Sequence, residues 1–309
     1  MINIDGHLKA NQHLNWTPEL RPISEIEPGS NVQIDIPDSS TLQIGENFTT
    51  DDLRNVDGSL LDAAVGPIYV KGSEPGDVLE VSIEKLEVAS WGWTMVSWDF
   101  GFLKHRFRDR LIIWDIGQKE ATPRGDFLKG VRIPVSPFLG IIGTAPSTGK
   151  HGMIPPQYFG GNMDNRLLGQ GSKIYLPVSV HGGLLSVADP HAAQGDGEIC
   201  GTAIETMATA SLKIGLIKNS PISAPRAFSN DNGLGPVIVT MGISPDLHTA
   251  CSNAVETMIE ELKTYGFTDE EAYALCSVTG NLRISEVVDE PNYVVSMLVP
   301  KEIARQRLD

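Results

Sequence analysis

The sequence predicts a mainly β protein, with antiparallel sheets arranged as a sandwich or barrel and an α+β unit near the C-terminus. Through the first two-thirds of the chain, apolar and polar residues alternate in short runs, the pattern of half-buried strands. Gly, Pro and Asp bound these runs, and the 31 glycines and 20 prolines favour many tight turns. Helical spacing of apolar residues is strong only after residue 244.

Three runs, at 32–36, 79–84 and 212–216, show the alternation most clearly. In each run the apolar side chains project to one face, which is typical of antiparallel sheets that pack one face on a core. The turns EPGS at 27–30 and EPGD at 74–77 directly precede two of these strands. Pro presets the bend in such turns, and Gly supplies the permissive backbone angles.

A helical hairpin is predicted after the strands. Apolar residues between 247 and 262 recur at spacings of three and four, with Ser244 as the expected N-cap and Gly266 as the stop. Thr268 and Glu271 then form a capping box that begins a second helix. Predicted strands flank this hairpin and complete an α+β unit.

The segment 219–236 is the expected boundary between two regions, because it is rich in Pro and Gly. Residues 1–218 are expected to form the β-rich region that carries the active site. Residues 219–309 are expected to form the α+β region with the helical hairpin.

The net charge of -15 argues against a nucleic-acid-binding protein, because phosphate binding depends on clustered Lys and Arg. One basic cluster, at 104–110, is interpreted as a solvated or ion-paired loop. An acidic protein suits a neutral or cationic ligand, and it also suits a bound metal ion.

The three cysteines, Cys200, Cys251 and Cys276, form no CxxC pair and fit neither a disulfide framework nor a cysteine zinc site. A reducing cytoplasm is therefore expected. No export signal is recognised at the N-terminus. The longest apolar runs are far shorter than the roughly 20 residues that cross a bilayer, so no membrane span is expected.

The densest polar chemistry lies between residues 151 and 205, where three of the seven histidines and five acidic residues stand among small residues. Asp189 and His191 are two apart, so in an extended strand they would project to the same side and present two ligands to one metal. Asp196 and Glu198 repeat this spacing. Such a set suits a divalent metal that lowers the pKa of bound water.

Other interpretations of these residues stay open. A DxH pair can be a turn Asp beside a structural His, and Cys200 could be a nucleophile or a buried structural thiol. The common alternative enzymes are disfavoured, because the chain has no GxSxG elbow, Walker loop, GxGxxG fingerprint or HExxH helix.

Several motifs together resemble the acetamidase/formamidase family. The most specific is DPHAAQGDGEICGTAIE at 189–205, preceded by GGNMDNR at 160–166. Further similar stretches span nearly the whole chain: HLNW at 13–16, GPIYVKGSEPGDVLEV at 66–81, PFLGIIGTAP at 137–146, LPV at 176–178 and EAYALCSVTGNLRISEVVDEPNYVV at 271–295.

The resemblance implies a β-rich homo-oligomer, a dimer or higher, that hydrolyses a short aliphatic amide of the formamide or acetamide type to a carboxylate and ammonia. A divalent metal is implied as the cofactor, with zinc expected first and calcium as the alternative. Carried over by position, Asp164, Asp189 and His191 are metal-ligand candidates. Glu198 is expected to be the general base that passes a proton to the leaving nitrogen.

Four further residues are assigned to the site. His13 is another metal-ligand candidate and His151 another catalytic candidate, and either could instead hydrogen-bond the substrate. Gly161 and Asn162 are expected to bind the substrate. The chain departs from the expected GALFSVGD pattern at 182–189, where it has GGLLSVAD, so the acyl pocket is expected to differ.

Two other functions compete with amide hydrolysis. The first is a non-catalytic, metal-stabilised β-sandwich that binds a ligand, with the same carboxylates holding calcium. The second keeps the fold but hydrolyses another linear carbon–nitrogen bond. Glu198 favours an enzyme, because an inert cation site has no need of a spare base.

Overall fold

A computed structural model describes residues 2–231 and 233–307 of the chain. The fold is mainly β with a small helical part near the C-terminus, which confirms the predicted class. In chain order the strands are β1 Ile2–Asp5, β2 Gln12–His13, β3 Ser24–Ile26, β4 Ser30–Ile36, β5 Ala64–Val70, β6 Val78–Val88, β7 Trp91–Val96, β8 Arg110–Ile116, β9 Glu120–Pro123, β10 Ile133–Pro134, β11 Phe138–Gly143, β12 Gly160–Asn162, β13 Lys173–Pro177, β14 Leu185–Ala193, β15 Ile204–Glu205, β16 Ala208–Ile217, β17 Arg226–Asp231, β18 Gly235–Ser244, β19 Asn281–Glu286 and β20 Tyr293–Pro300. The α-helices are α1 Leu247–Lys263, α2 Asp269–Thr279 and α3 Lys301–Arg305, and short 3-10 helices lie at Lys9–Asn11, Thr50–Asn55 and Gly58–Leu60.

The strands of the described residues form two large sheets. The first has the order β1-β4-β16-β6-β13-β17-β18-β20-β19. The second runs β10-β9-β8-β7-β15-β14-β11-β12, and β5 joins it by pairing with β14, β2 and β3. Neither sheet closes into a barrel, so the sandwich form of the prediction applies.

The three alternating runs of the sequence lie in β4, β16 and β6, which are adjacent and antiparallel. Their apolar side chains, including Ile34 and Ile83, are buried in one cluster with Ile142 and Leu185 of the second sheet. The two sheets therefore pack face to face. Each buried aliphatic side chain of this kind contributes about 1.5–3 kcal/mol of transfer free energy.

The helical hairpin is present where the sequence predicts it, but its first cap is different. Asp246 is the N-cap of α1 and accepts a hydrogen bond from the backbone N–H of Thr249 at 2.8 Å. The expected cap, Ser244, is wrong because this residue still pairs with Tyr293 in the sheet. The capping box at the start of α2 is formed as predicted.

The first sheet continues through the expected boundary at 219–236. β17 lies inside that segment and pairs with β13 on one side and β18 on the other. The division into regions 1–218 and 219–309 therefore stays a prediction. Every helix in the described part of the chain is too short or too polar to cross a membrane.

The packing of α1 on β18 requires a glycine at 242, because a Cβ there would collide with the backbone of Ala250 and Ala254. We expect Gly242→Ala to lower the free energy of unfolding by about 2–3 kcal/mol, since backbone atoms cannot rotate away. Urea denaturation would measure this. Gly215→Ala is the control, because its Cβ would meet atoms only at ordinary contact distance. Equal urea midpoints for the two variants would contradict the packing argument.

Candidate active site

Strand β14 is the platform of the candidate site, and all nine of its residues are buried. It lies in the second sheet, where it pairs with β11, with β5 and, near His191, with β15. Asp189 and His191 both stand on this strand. Asp189 has a φ of +55°, so the two side chains are not brought together by the extended backbone that the sequence predicted.

The imidazole of His191 is at the centre of a buried group of carboxylates. Its Nε2 lies 3.0 Å from Asp189 Oδ2, 3.1 Å from Glu205 Oε2 and 4.0 Å from Glu198 Oε1. Its Nδ1 lies 3.9 Å from Asp164 Oδ1. Within the described residues, two sets of three therefore offer ligand atoms within 4.8 Å of one another, and both sets include His191. The tighter set is Asp189, His191 and Glu205.

The hydrogen bonds of Gln194 define the tautomer of His191. Gln194 Nε2 donates to the backbone carbonyl of Asp164 at 2.7 Å, which turns Gln194 Oε1 towards the ring. This oxygen can only accept, so Nδ1 of His191 carries the proton and donates to it at 2.9 Å. The lone pair of a neutral imidazole then lies on Nε2, facing the two carboxylates.

These atoms fit a bound divalent cation. His191 Nε2 has no hydrogen-bond partner in the described chain, nor have Asp189 Oδ1 and Asp164 Oδ1, although all three are buried. Buried polar atoms are normally paired or bind a metal. Ligands of a small divalent ion each lie about 2.0–2.2 Å from it, which leaves neighbouring ligand atoms roughly 3 Å apart. The spacing around Nε2 is of this size.

Strained backbone holds the carboxylates in place. Asp164, Asp189 and Glu198 have φ values of +40°, +55° and +47°, in the left-handed region that non-glycine residues rarely adopt. Such residues cost roughly 1–3 kcal/mol each and are concentrated at functional sites. Gly140 on β11 makes the close approach possible, because a Cβ there would collide with the carboxylates of Asp164 and Asp189.

Burial and mutual repulsion shift the acid–base properties of the group. Burial, with the nearby Asp164 carboxylate, raises the pKa of Glu198 well above its ordinary value. Burial raises the pKa of Glu205 to about 7, although His191 opposes the shift. Burial would lower the pKa of His191, but Asp189 and Glu205 outweigh it and raise that pKa. Burial therefore favours the protonated form of both carboxyl groups, and the carboxylates favour the protonated form of the imidazole.

A cavity of about 380 Å³ opens onto these carboxylates. One part of its wall is apolar, formed by Ile44, Val56, Leu61, Trp93, Met95, Phe100 and Ile154. Another part is polar and includes Asn162, whose Nδ2 donates to Asp289 Oδ2 at 2.7 Å. This bond orients the amide and leaves Asn162 Oδ1, a buried acceptor, without a partner in the described chain.

Comparison with known proteins agrees with this architecture. The model of the acetamidase/formamidase family matches residues 3–151 and 149–306. The chain belongs to this family. A formamidase from Methylophilus methylotrophus is 29% identical over 94% of this chain and 89% of its own length. The resemblance inferred from the sequence motifs is thus confirmed.

Solved structures of related proteins share the fold. The crystal structure of an acetamidase from Bacillus halodurans has a TM-score of 0.90 at 27% identity, covering 99% of both chains. A gamma lactamase from Delftia acidovorans has a TM-score of 0.68 at 27% identity, covering 96% of this chain and 90% of that one.

The structure brings only some of the predicted residues together in this family member. Asp164, Asp189, His191 and Glu198 belong to the buried group, and Asn162 lines the cavity beside them. Asp196, which repeats the DxH spacing with Glu198, instead pairs with Arg166 at the surface, with 2.6 Å between its Oδ1 and Nε.

The other three predicted residues lie around Trp16, outside both sets of ligand atoms. His13 Nδ1 donates to Asn15 O at 3.0 Å and its Nε2 lies 2.8 Å from Ser186 Oγ. The ring of His151 packs edge-on against Phe159. Gly161 has a φ of +89° and faces the indole of Trp16.

Sequence reasoning did not assign a role to Glu205, Asp62 or Asp289. Glu205 ends the quoted motif run and pairs with His191 across β14 and β15, so strand pairing was the signal that could have identified it. Asp62 and Asp289 line the cavity but lie far from the 189–205 motif in the sequence. Asp289 falls within the similar stretch at 271–295, which could have drawn attention to it, whereas no local pattern marks Asp62.

We expect Gly140→Ala to reduce bound divalent metal in the purified protein at least tenfold, because the new methyl group would push apart the Asp164 and Asp189 carboxylates. Elemental analysis of the protein as purified would measure this. Gly195→Ala is the matched control, since its Cβ would meet no atom within 4 Å. Full metal content in Gly140→Ala would argue that these two carboxylates hold no ion.

Proposed function

We propose that this protein hydrolyses a short aliphatic amide to a carboxylate and ammonia at the cavity above His191. The observation that carries the proposal is the close approach of His191 Nε2 to the carboxylates of Asp189 and Glu205, with Glu198 beside them. Relatives named formamidase and acetamidase support the choice of amides.

Asp189, His191 and Glu205 are proposed to hold a divalent metal, with Asp164 and Glu198 facing it from the other set. A metal bound there would act as a Lewis acid on the amide carbonyl and lower the pKa of water. Zinc is proposed over calcium, because an imidazole nitrogen suits zinc, whereas calcium prefers oxygen ligands alone.

Glu198 is proposed to transfer the proton of the reaction. Burial raises the pKa of Glu198, so this carboxylate takes up a proton more readily than an exposed one, which suits a group that accepts a proton from the attacking water and returns it to the leaving nitrogen. Amide nitrogen is a poor leaving group until it is protonated, so this transfer is essential. The left-handed backbone at Glu198 holds the carboxylate inside the cavity rather than at the surface.

Asn162 is proposed to orient the amide. Because Asp289 fixes its Nδ2, its free Oδ1 would accept a hydrogen bond from the N–H of the substrate. The nitrogen end of the amide would then lie towards Asn162 and Glu198. The acyl end would lie towards the apolar wall around Trp93, which is larger than an acetyl group requires.

Hydrolysis of another carbon–nitrogen bond is the second candidate. Structural similarity to a gamma lactamase, together with the volume of the cavity, favours testing cyclic amides beside linear ones.

His13 and His151 are proposed to support the site from the Trp16 side rather than to bind the metal. Gly161 is proposed to let the Trp16 indole approach, and so to act on the substrate indirectly.

Two properties of the whole protein are proposed on less direct grounds. A homo-oligomer, dimer or higher, follows from the family resemblance. A cytoplasmic location is supported by the free cysteines Cys200, Cys251 and Cys276, which form no disulfide in the described chain.

We expect the purified protein to release ammonia from formamide or acetamide, and a strong chelator to abolish this release. Zinc added afterwards should restore it, because the ligand side chains remain in place. A coupled ammonia assay would follow both steps. Ammonia release that survives complete removal of metal would exclude the metal role, and no release from any amide of one to four carbons would favour the non-catalytic binding protein.

We expect Glu198→Gln to retain bound metal but to lower kcat roughly 10²–10⁴-fold, because the amide cannot relay a proton. Elemental analysis and steady-state kinetics would measure the two effects. Asp196→Asn is the matched control, because this residue lies two positions away in the same loop and pairs with Arg166 at the surface. Wild-type turnover in Glu198→Gln would remove this residue from the mechanism.

A further inference from the structure

The cavity is strongly acidic. Six of the described residues that line it carry carboxylates, and no Lys or Arg is among the described lining residues. The six are Asp62, Asp164, Asp189, Glu198, Glu205 and Asp289. The positive charge of the His191 imidazole and of a bound divalent ion would offset only part of this negative charge. A negatively charged substrate would therefore be repelled on entry.

Asp62 differs from the other carboxylates because it belongs to neither set of metal-ligand atoms. It is 8% exposed and has a φ of +57°. Its backbone N–H donates to Ser39 O at 2.8 Å, and Ser39 Oγ donates to Glu205 Oε2 at 2.7 Å. Asp62 is thus linked to Glu205 through Ser39.

The side chain of Asp62 is buried near the carboxylates of Asp189, Glu205 and Asp164, and the imidazole of His191 partly offsets their charge. A buried carboxylate among like charges is costly, so such a group usually has a ligand or an ion as its partner. Asn162 Oδ1 also lines the cavity and is a buried acceptor without a hydrogen-bond partner in the described residues. The cavity therefore offers acceptors to a ligand that carries donors.

The surroundings of Asp62 define what it would bind. Leu61 precedes it in the chain, and Ile44, Val56 and Trp93 line the same cavity. This apolar wall suits methylene groups, and an aromatic ring such as that of Trp93 is more compatible with a cation than with an anion. Asp38 holds that indole by accepting a hydrogen bond from its Nε1 at 2.6 Å.

We propose that Asp62 is a specificity-determining residue that binds a protonated amine on the acyl chain of the substrate, so that the preferred substrates are short amides carrying a second, positively charged nitrogen. This inference rests on the proposed amide hydrolysis and deepens it. In this arrangement the amide nitrogen lies beside Asn162, the acyl carbons lie along the apolar wall, and the ammonium group pairs with Asp62.

Three amides of similar length test the charge preference. β-Alaninamide carries an ammonium group where butyramide has a methyl group, and succinamate carries a carboxylate. We expect kcat/KM for β-alaninamide to exceed that for butyramide at least tenfold in the wild-type enzyme, with succinamate the poorest substrate. Ammonia release at pH 7 would be measured for all three.

Asp62→Asn tests the residue, because Asn adopts left-handed backbone readily and keeps the size of the side chain. We expect it to lower the ratio of the β-alaninamide and butyramide values of kcat/KM at least tenfold, which is about 1.4 kcal/mol of lost discrimination. Asp126→Asn, at an exposed residue paired with Lys129, should leave the ratio unchanged. Metal content and melting temperature would show that each variant is folded.

The outcomes separate this inference from the proposed function. Hydrolysis of butyramide with no preference for β-alaninamide would overturn the role of Asp62 but leave amide hydrolysis standing. An equal fall for both substrates in Asp62→Asn would also overturn it, because the ratio would not change. No ammonia from any of the three amides would overturn both proposals.

Discussion

The meeting of His191 Nε2 with the Asp189 and Glu205 carboxylates is the interaction on which the site depends. Asp189 Oδ2 and Glu205 Oε2 lie 3.0 Å and 3.1 Å from Nε2 in a buried position, and Gln194 accepts the proton of Nδ1 on the other side of the ring. Taking two carboxylates out of water is very costly unless a cation or a proton compensates. The surrounding structure is arranged to keep this group together in spite of that cost.

Support for the group comes from distant parts of the chain. Ser39 holds Glu205 by a hydrogen bond that spans 166 residues, and Gly140 leaves room for two carboxylates that any side chain would displace. β14 is buried along its whole length between strands of the second sheet, so its strained Asp189 cannot relax outward. The local strain is thus maintained by the packing of the sandwich.

Patterns local in sequence predicted the fold well. Alternation identified β4, β6 and β16, and spacing with caps identified the hairpin, because both depend on near neighbours. Ser244 was assigned wrongly because its role depends on a partner in β20 rather than on the helix. The spacing of residues in the DPH motif also identified Asp189 and His191 as metal-ligand candidates. Their geometry, however, depends on the left-handed backbone of Asp189, which the spacing did not predict.

Residues of the site that act at long range could not be predicted. Asp62 and Asp289 approach the motif only through the folded sheets, and no periodicity marks them. Asp196 has the same spacing from Glu198 as Asp189 has from His191, yet a turn directs it to Arg166 at the surface. Residue type and spacing therefore indicate candidates, and the strand register decides between them.

His13 and His191 have different neighbours, and these neighbours give them different roles. His13 donates from Nδ1 to a carbonyl and can accept from Ser186 at Nε2, so both nitrogens are occupied while the ring is neutral. Burial lowers the pKa of His13 to about 4, which keeps it in this form through the neutral range. His191 differs because carboxylates, and not a hydroxyl, face its Nε2. A neutral His13 with both nitrogens bonded supports the β14 strand at Ser186, three residues before Asp189, whereas Nε2 of His191 is directed at carboxylates with which it can share a cation.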